Sequence, residues 1–294
     1  MNISVLVPVY NHSLYVEKCL VSICDAYSGN IELIVCDDYS VDDSYDVADR
    51  TLRKLKEKNG KRLNYKLLKN DANQGVCLTL NRCVSEITSE YSYLIASDDF
   101  LVDNSLDYAV EEIKKNKYDA LISDCHVIDM DGKILFHSSF FDYRKAFKNG
   151  LKSKYIHDEL VMNWTVPGPA LLLKSSVYGT IGNYQVGLNA EDRDFYLRLI
   201  SKCNVGFSEH KIACYRIHGD NISSKPVYLK GIENEMTQVN FKYKDNFHGI
   251  SRLYLKSYGY DLRYGRNLLS RIYRKSLYSF FQMKLIFLKK IKMI

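Results

Sequence analysis

Tyr91-Ser92-Tyr93-Leu94-Ile95-Ala96-Ser97-Asp98-Asp99 is an apolar run of strand length that stops on two adjacent carboxylates. The same grammar stands twice upstream. Ile31 to Cys36 is apolar and ends on Asp37-Asp38, and Ile3 to Val9 is apolar and ends on Tyr10-Asn11. Continuous apolar runs of this length mark strands buried on both faces. Between the first two, Val16, Cys19, Leu20, Ile23, Cys24 and Tyr27 recur at helical spacing, with Ser13 as a candidate N-cap. Asp42 to Lys58 reads as a second helix and Leu63 to Leu68 as a third strand. Val76 to Ile87 resumes helical spacing after the break at Asn73-Gln74-Gly75. This alternation predicts an α/β fold, a mostly parallel sheet flanked by helices. In open sheets of this kind ligands bind outside the carboxyl ends of the strands. Pro8-Val9-Tyr10-Asn11, Asp37-Asp38 and Asp98-Asp99 all fall there.

Beyond residue 120 the pattern loosens. Ala120 to Asp124 reads as a strand, and Asp131-Gly132 as a hairpin turn between Val127-Ile128 and Ile134-Leu135. Trp164-Thr165-Val166-Pro167-Gly168-Pro169 is loop-like and precedes a short strand at Ala170 to Leu173. Glu191 to Ser201 is helical, and from Val227 the chain reads as basic, Tyr-rich helices. With 46% hydrophobic and 26% charged residues in 294, the chain can bury a large core and is not disordered. No uncharged apolar stretch approaches the ~20 residues of a membrane-spanning helix. The opening residues read as a first strand, not a signal peptide. Eight cysteines (19, 24, 36, 77, 83, 125, 203 and 214) form no CxxC pair. They read as small core residues in a reducing compartment, with the cytoplasm as the expected address.

Adjacent carboxylates raise each other's pKa. A divalent cation relieves that cost, and hard oxygen ligands suit Mg²⁺ or Mn²⁺. The competing reading is a solvated turn or helix cap. No G-x-G-x-x-G opens a helix after the first strand and no G-x-x-x-x-G-K-[ST] occurs, so a nucleotide bound here would rely on metal more than on a glycine cradle.

Residues 1–220 resemble a family 2 inverting glycosyltransferase of the GT-A fold, the group that builds bacterial surface polysaccharides. Val5-Leu6-Val7-Pro8-Val9-Tyr10-Asn11 is similar to its opening strand and nucleotide-binding loop. The run from Glu32 to Ser44, with Asp37-Asp38-Tyr39-Ser40, is similar to its second strand and Asp-Asp-x-Ser turn. Asn73-Gln74-Gly75 with Asn81 resembles its N-x-G…N helix start, and Ala96-Ser97-Asp98-Asp99 stands where it has D-x-D. Glu191-Asp192-Arg193-Asp194 resembles its E-D-x-D helix, and Tyr215 to Ser223 its Y-R-x-H-x-x-N-x-S element.

The resemblance implies roles. Pro8, Tyr10 and Asp38 would contact the base of a UDP-sugar donor, with Asn11, Asn73, Gly75 and Glu191 also on the nucleotide sugar and Asp98 near the ribose. Asp99, with His218, would hold Mn²⁺ or Mg²⁺ on the diphosphate. Asp192 would be the base that takes the acceptor's proton. The chain departs from the pattern at Ala96, at Tyr39 in a glycine position, and at Leu80 where the helix often carries arginine. Trp164, the single tryptophan, is a candidate acceptor contact or a packing anchor. The implied activity is transfer of a hexose or N-acetylhexosamine to a glycan or lipid-linked glycan. The alternatives are a non-catalytic nucleotide- or glycan-binding subunit and a sugar nucleotidyltransferase, which would need a Gly-rich basic loop that is absent after the first strand.

Residues 225–294 hold 15 Lys/Arg against 4 Asp/Glu, whereas 1–224 hold 26 against 31. A division into a GT-A domain over 1–224 and a basic helical C-terminal extension over 225–294 follows. Basic-aromatic helices over 252–294 suit an anionic membrane surface, which would make the enzyme peripheral on the inner face. A helix packed on the domain or a homo-oligomer contact are the other readings. Nucleic acid is not expected, because no reading motif accompanies the charge.

Overall fold

The computed structural model describes residues 2–219 and 226–292. Asp220, Asn221, Ile222 and Ser223 of the downstream motif lie outside the described residues. The chain alternates β1 (Asn2–Val9), α1 (Val16–Ala26), β2 (Asn30–Asp37), α2 (Ser44–Asn59), β3 (Leu63–Lys69), α3 (Val76–Ser85) and β4 (Tyr91–Leu94). β1 lies parallel between β2 and β4, and β3 extends the sheet beyond β2. Ile3, Val5, Leu6 and Val7 are all fully buried, so both faces of β1 are covered and no polar alternation survives in its sequence. Ser13 does not cap α1. Its N–H donates to Asp42 Oδ2 at 3.1 Å, and the helix begins at Val16 after a turn closed on the His12 carbonyl.

β4 stops two residues before its expected end. Ile95 N–H still donates to Leu6 O at 3.1 Å, but Asp99 N–H then closes a turn on Ala96 O. The paired carboxylates therefore sit on a turn at the sheet's carboxyl edge. The second half adds β5 (Phe100–Leu101), α4 (Ser105–Lys115), β6 (Ala120–Ile128), β7 (Ile134–Phe136), α5 (Lys148–Leu151), α6 (Ile156–Met162), β8 (Leu171–Lys174), α7 (Val177–Ile181), α8 (Glu191–Lys202) and β9 (Val205–Arg216). β6 and β7 form the hairpin expected at Asp131-Gly132, with Gly132 at φ +87°. Among the described residues the strands form one nine-stranded mixed sheet, in the order β3-β2-β1-β4-β8-β6-β9-β5 with β7 on β6. β8 is inserted antiparallel between β4 and β6, while β6 and β9 run parallel. All eight cysteines are buried and none is in a disulfide.

The basic extension comprises α9 (Pro226–Lys242), α10 (Gly249–Lys256), α11 (Tyr258–Tyr264) and α12 (Leu268–Lys290). No described helix is long and apolar enough to cross a membrane. α12 docks through Phe281 and Leu285, 2% and 0% exposed. Beside them Tyr278 Oη donates to Glu159 at 2.9 Å. Glu159 is fully buried and also accepts from Phe147 N–H and Asn163 Nδ2, both at 3.0 Å.

A buried carboxyl that loses a donor keeps its desolvation cost. Tyr278→Phe should therefore lower stability by ~1–3 kcal/mol while unfolding stays a single transition. Urea denaturation followed by circular dichroism tests this, and an unchanged midpoint would mean that the Tyr278–Glu159 hydrogen bond contributes nothing to stability.

Candidate functional site

The loops after β1 and β2 are laced to each other. Asn11, in the left-handed region at φ +54°, accepts from Val41 N–H at 2.9 Å, and its own N–H donates to Ser40 Oγ at 3.0 Å. Tyr10 and Tyr39 are left exposed on either side, and Pro8 is half-buried behind them. Tyr39 holds φ +64°, a glycine conformation taken here by a bulky residue. Asp38 is buried, and it accepts from Asn70 Nδ2 at 2.8 Å, Gln74 N–H at 2.8 Å and Gly75 N–H at 2.9 Å. Three of a carboxylate's roughly four acceptor positions are thus filled by protein. Asp38 shapes the loop around Asn73 and Gly75. Asn73 Oδ1 accepts from Gly75 N–H at 3.2 Å, and Gly75, at φ +83°, starts α3 in a conformation that a side chain would strain.

At the end of β4 the two carboxylates face different ways. Asp98 Oδ2 lies 2.9 Å from His218 Nε2, and Asp98 Oδ1 lies 4.0 Å from His12 Nδ1. His12, Asp98 and His218 each offer a ligand atom within 4.8 Å of the others. Asp99 turns instead toward β9, where its Oδ1 accepts from Arg216 N–H at 2.7 Å. Burial, and then the charge of Asp98, push the Asp99 carboxyl well above the usual carboxylate range, with Arg216 opposing them. Arg216 is buried, donates from Nε to the Asp98 carbonyl at 2.7 Å, and lies over the Tyr15 ring. The family resemblance implies that His218 joins Asp99. The geometry pairs it with Asp98, because Arg216 holds Asp99 down. A carboxylate and two imidazoles form a donor set that fits a divalent transition ion such as Mn²⁺.

The second acidic cluster starts α8. Asp194 is structural, because it is fully buried and accepts from Tyr243 Oη at 2.7 Å and Arg198 Nε at 2.9 Å. Glu191 is pushed up to about 8, first by burial and then by the charge of Asp192. Asp192 is exposed, and no hydrogen bond engages its carboxylate among the described residues. The protein around it raises its pKa, and the Arg144 guanidinium pulls it back down. Arg144 also lies 5.6 Å from the Tyr215 ring, and its buried Nε has no hydrogen-bond partner among the described residues. Trp164 is half-buried, edge-on to Tyr196 at 4.7 Å and beneath the Arg193 guanidinium at 5.3 Å.

α9 grips this helix at its first turn. Glu235 accepts from Asn189 N–H at 2.7 Å and Ala190 N–H at 3.0 Å, capping α8. Asn240 accepts from Arg193 Nε at 2.9 Å, and Tyr243 holds Asp194.

Residues 4–173 match the model of glycosyl transferase family 2. The chain belongs to that family. It is 28% identical over 264 residues to a chondroitin synthase of Escherichia coli, covering 88% of this chain and 34% of that protein. The chain thus spans about a third of that relative's length. Among solved structures, S. aureus TarS 1–349 in complex with UDP-GlcNAc superposes with a TM-score of 0.63 at 19% identity, covering 88% of this chain and 70% of that one. The mannosyltransferase PcManGT from Pyrobaculum calidifontis, in complex with GDP-Man and Mn²⁺, gives 0.57 at 13% identity, covering 97% and 84%. The fold of this glycosyltransferase is GT-A, with its C-terminal helices packed on the sheet-bearing half.

Three residues of the site carry no role in the sequence motifs. His12 follows the nucleotide loop as a lone histidine, Arg144 lies in an aperiodic stretch, and Arg216 sits in a motif whose signal is its histidine. Only for Arg216 did a local pattern point to the neighbourhood.

Glu191 makes the site a measurable liability. A carboxyl whose folded pKa is raised binds a proton that the unfolded chain has released, so stability falls as pH rises from about 4.5 to about 8. Glu191→Gln removes that loss, and its melting temperature should exceed wild type by ~2 °C or more at pH 8 and by less at pH 5. An equal gain at both pH values would refute the raised pKa.

Proposed function

We propose that this glycosyltransferase moves a hexose or N-acetylhexosamine from a uridine diphosphate sugar to a glycan or lipid-linked glycan acceptor, with inversion, in the synthesis of a bacterial surface polysaccharide. One observation carries the reading. A metal-competent set, His12, Asp98 and His218, gathers at the carboxyl edge of the sheet, and a separate unpaired carboxylate, Asp192, opens α8. The UDP-GlcNAc-bound neighbour supports uracil as the base. Tyr10 and Tyr39 offer exposed rings to that base, with Pro8, Asn11 and the Asp38-braced Asn73–Gly75 loop shaping its seat.

The chemistry needs two things at two places. Asp192 takes the proton of the acceptor hydroxyl as that oxygen bonds to the anomeric carbon. The bond from that carbon to the diphosphate oxygen breaks in the same displacement, so UDP leaves and the configuration inverts. Arg144 favours the ionised form of Asp192 that this step requires. Glu191 is protonated at neutral pH and so can both donate to and accept from a sugar hydroxyl. His12, Asp98 and His218 would hold Mn²⁺ or Mg²⁺, which would supply positive charge for the departing diphosphate, and two imidazoles suit a transition ion better than Mg²⁺. Asp99, in this reading, is a positioning residue that locks β9 to β4, and Trp164 offers its open edge to the acceptor. The 225–294 extension is the scaffold of the α8 base, and the enzyme works in the cytoplasm where a lipid-linked acceptor is presented.

Calorimetric titration with UDP, with and without Mn²⁺, tests the donor and metal assignments. Wild type should bind UDP with Mn²⁺, and Asp98→Ala should weaken binding by about tenfold or more, as loss of a metal ligand does. No UDP binding in either condition overturns the uridine assignment. Metal dependence lost in Asp99→Ala but kept in Asp98→Ala would return the ligand role to Asp99.

Asp192→Asn should keep UDP binding and lower turnover by ~10²-fold or more. The base must be ionised, so wild-type turnover should rise with pH through a limb above the ordinary carboxylate value of about 4. Arg144→Met should move that limb to higher pH. Wild-type turnover in Asp192→Asn would remove it as the base.

A further inference from the structure

α12 has two apolar faces, and the protein covers one of them. The inner face docks through Phe281 and Leu285. On the outer face Leu269, Ile272, Phe280, Met283 and Phe287 are 79%, 50%, 59%, 62% and 61% exposed. At about 100° per residue these five fall within an arc of about 80°, roughly opposite the inner face. They run for about 27 Å along the helix at 1.5 Å per residue. Scattered exposed apolar side chains need no explanation, but a contiguous stripe of this length does.

The charge around the stripe has one sign. From Leu262 to Ile294 the chain carries nine Lys/Arg and no Asp/Glu. Lys275 and Lys284 flank the stripe on its two sides by the same helical geometry. Arg271 and Lys275 also line a cavity of about 380 Å³ between α12 and the other helices of the extension, with Tyr254 and Tyr258 on its walls. Arg274 and Arg266 in that cavity are paired with Asp261 and Glu233, whereas no ion pair engages Arg271 or Lys275 among the described residues.

We infer that the outer face of α12 is a docking surface for an anionic lipid leaflet, its apolar stripe entering the acyl boundary and Lys275 and Lys284, on the two flanks of the stripe, receiving lipid phosphate. Charge decides between occupants. A second copy of the chain would set one acid-free cationic face against another, whereas a leaflet rich in phosphate complements it. No described helix can span the bilayer, so the helix lies in the interface. Tyr278 pins the same helix to Asn163, next to Trp164, at 2.9 Å. Docking would therefore hold the Trp164 side of the cleft within about the thickness of one helix of the lipid surface, a consequence for transfer that rests on the transfer reading; the docking itself does not.

The test is flotation of the full chain with vesicles of phosphatidylglycerol and phosphatidylcholine, against phosphatidylcholine alone. Binding should be about tenfold or more tighter to the anionic vesicles and should fall with salt. The double variant Phe280→Ser/Phe287→Ser should bind them about tenfold or more weakly. Lys275→Gln/Lys284→Gln should lose about fivefold per charge on anionic vesicles and nothing on neutral ones. These four side chains are exposed, so the melting temperature and UDP binding should stay at wild-type values. Failure of docking with UDP binding intact would leave the transfer reading standing. The inference is overturned if wild type does not bind anionic vesicles or if neither variant changes binding. It is also overturned if wild type sediments as a dimer that Phe280→Ser/Phe287→Ser dissociates, for then the face belongs to a second copy.

Discussion

Two adjacent carboxylates cannot both be buried and charged without compensation, and in this protein the compensation is Arg216. Its backbone N–H holds Asp99, its Nε holds the Asp98 carbonyl, and its Nη1 donates to the carbonyls of Asp129 at 2.9 Å and Met130 at 2.7 Å. One buried guanidinium thus ties the turn after β4, the end of β9 and the β6–β7 hairpin, and it rests on Tyr15 at the entry to α1. The clamp fixes the backbone of the turn from which Asp98 reaches His218. The candidate metal set depends on it although Arg216 is not a member.

The C-terminal extension plays the corresponding part at the other acidic cluster. α8 starts on Glu191-Asp192, and such a start leaves backbone donors without partners. Glu235 of α9 takes the N–H of the cap residue Ala190 and of Asn189 before it, while Asn240 and Tyr243 fix the buried Arg193 and Asp194 that directly follow the exposed Asp192. The residues flanking the candidate base are held by a helix that composition assigns to a separate basic segment. Charge divides the chain near residue 225, but packing joins the two parts through the helix that carries the chemistry.

How much of this was legible follows from which interactions are local. The first four strands and three helices read correctly because burial on both faces leaves continuous apolar runs, and amphipathic helices leave a 3.6-residue rhythm. Ala170 to Leu173 also reads as a strand, one residue ahead of β8, but the antiparallel place of β8 between β4 and β6 rests on pairings about eighty and fifty residues away in the chain, and no local pattern records them. At the site, the acidic motifs stand out because adjacent carboxylates after a buried strand are chemically unusual. His12 and Arg144 do not, because each gains meaning only from what the fold sets beside it.

By itself the sequence determined that carboxylates cap the strand ends, that a further acidic pair opens a late helix, and that the C-terminus is cationic and apolar. Each is a property of neighbouring residues. Tertiary structure alone decided which carboxylate of Asp98-Asp99 meets His218, because side chains at a turn diverge and a distant arginine chooses between them. It also decided that Phe281 and Leu285 face inward while Phe280 and Phe287 face outward. Helical periodicity marks both faces of α12 as apolar, but only the packed neighbours determine which one is covered.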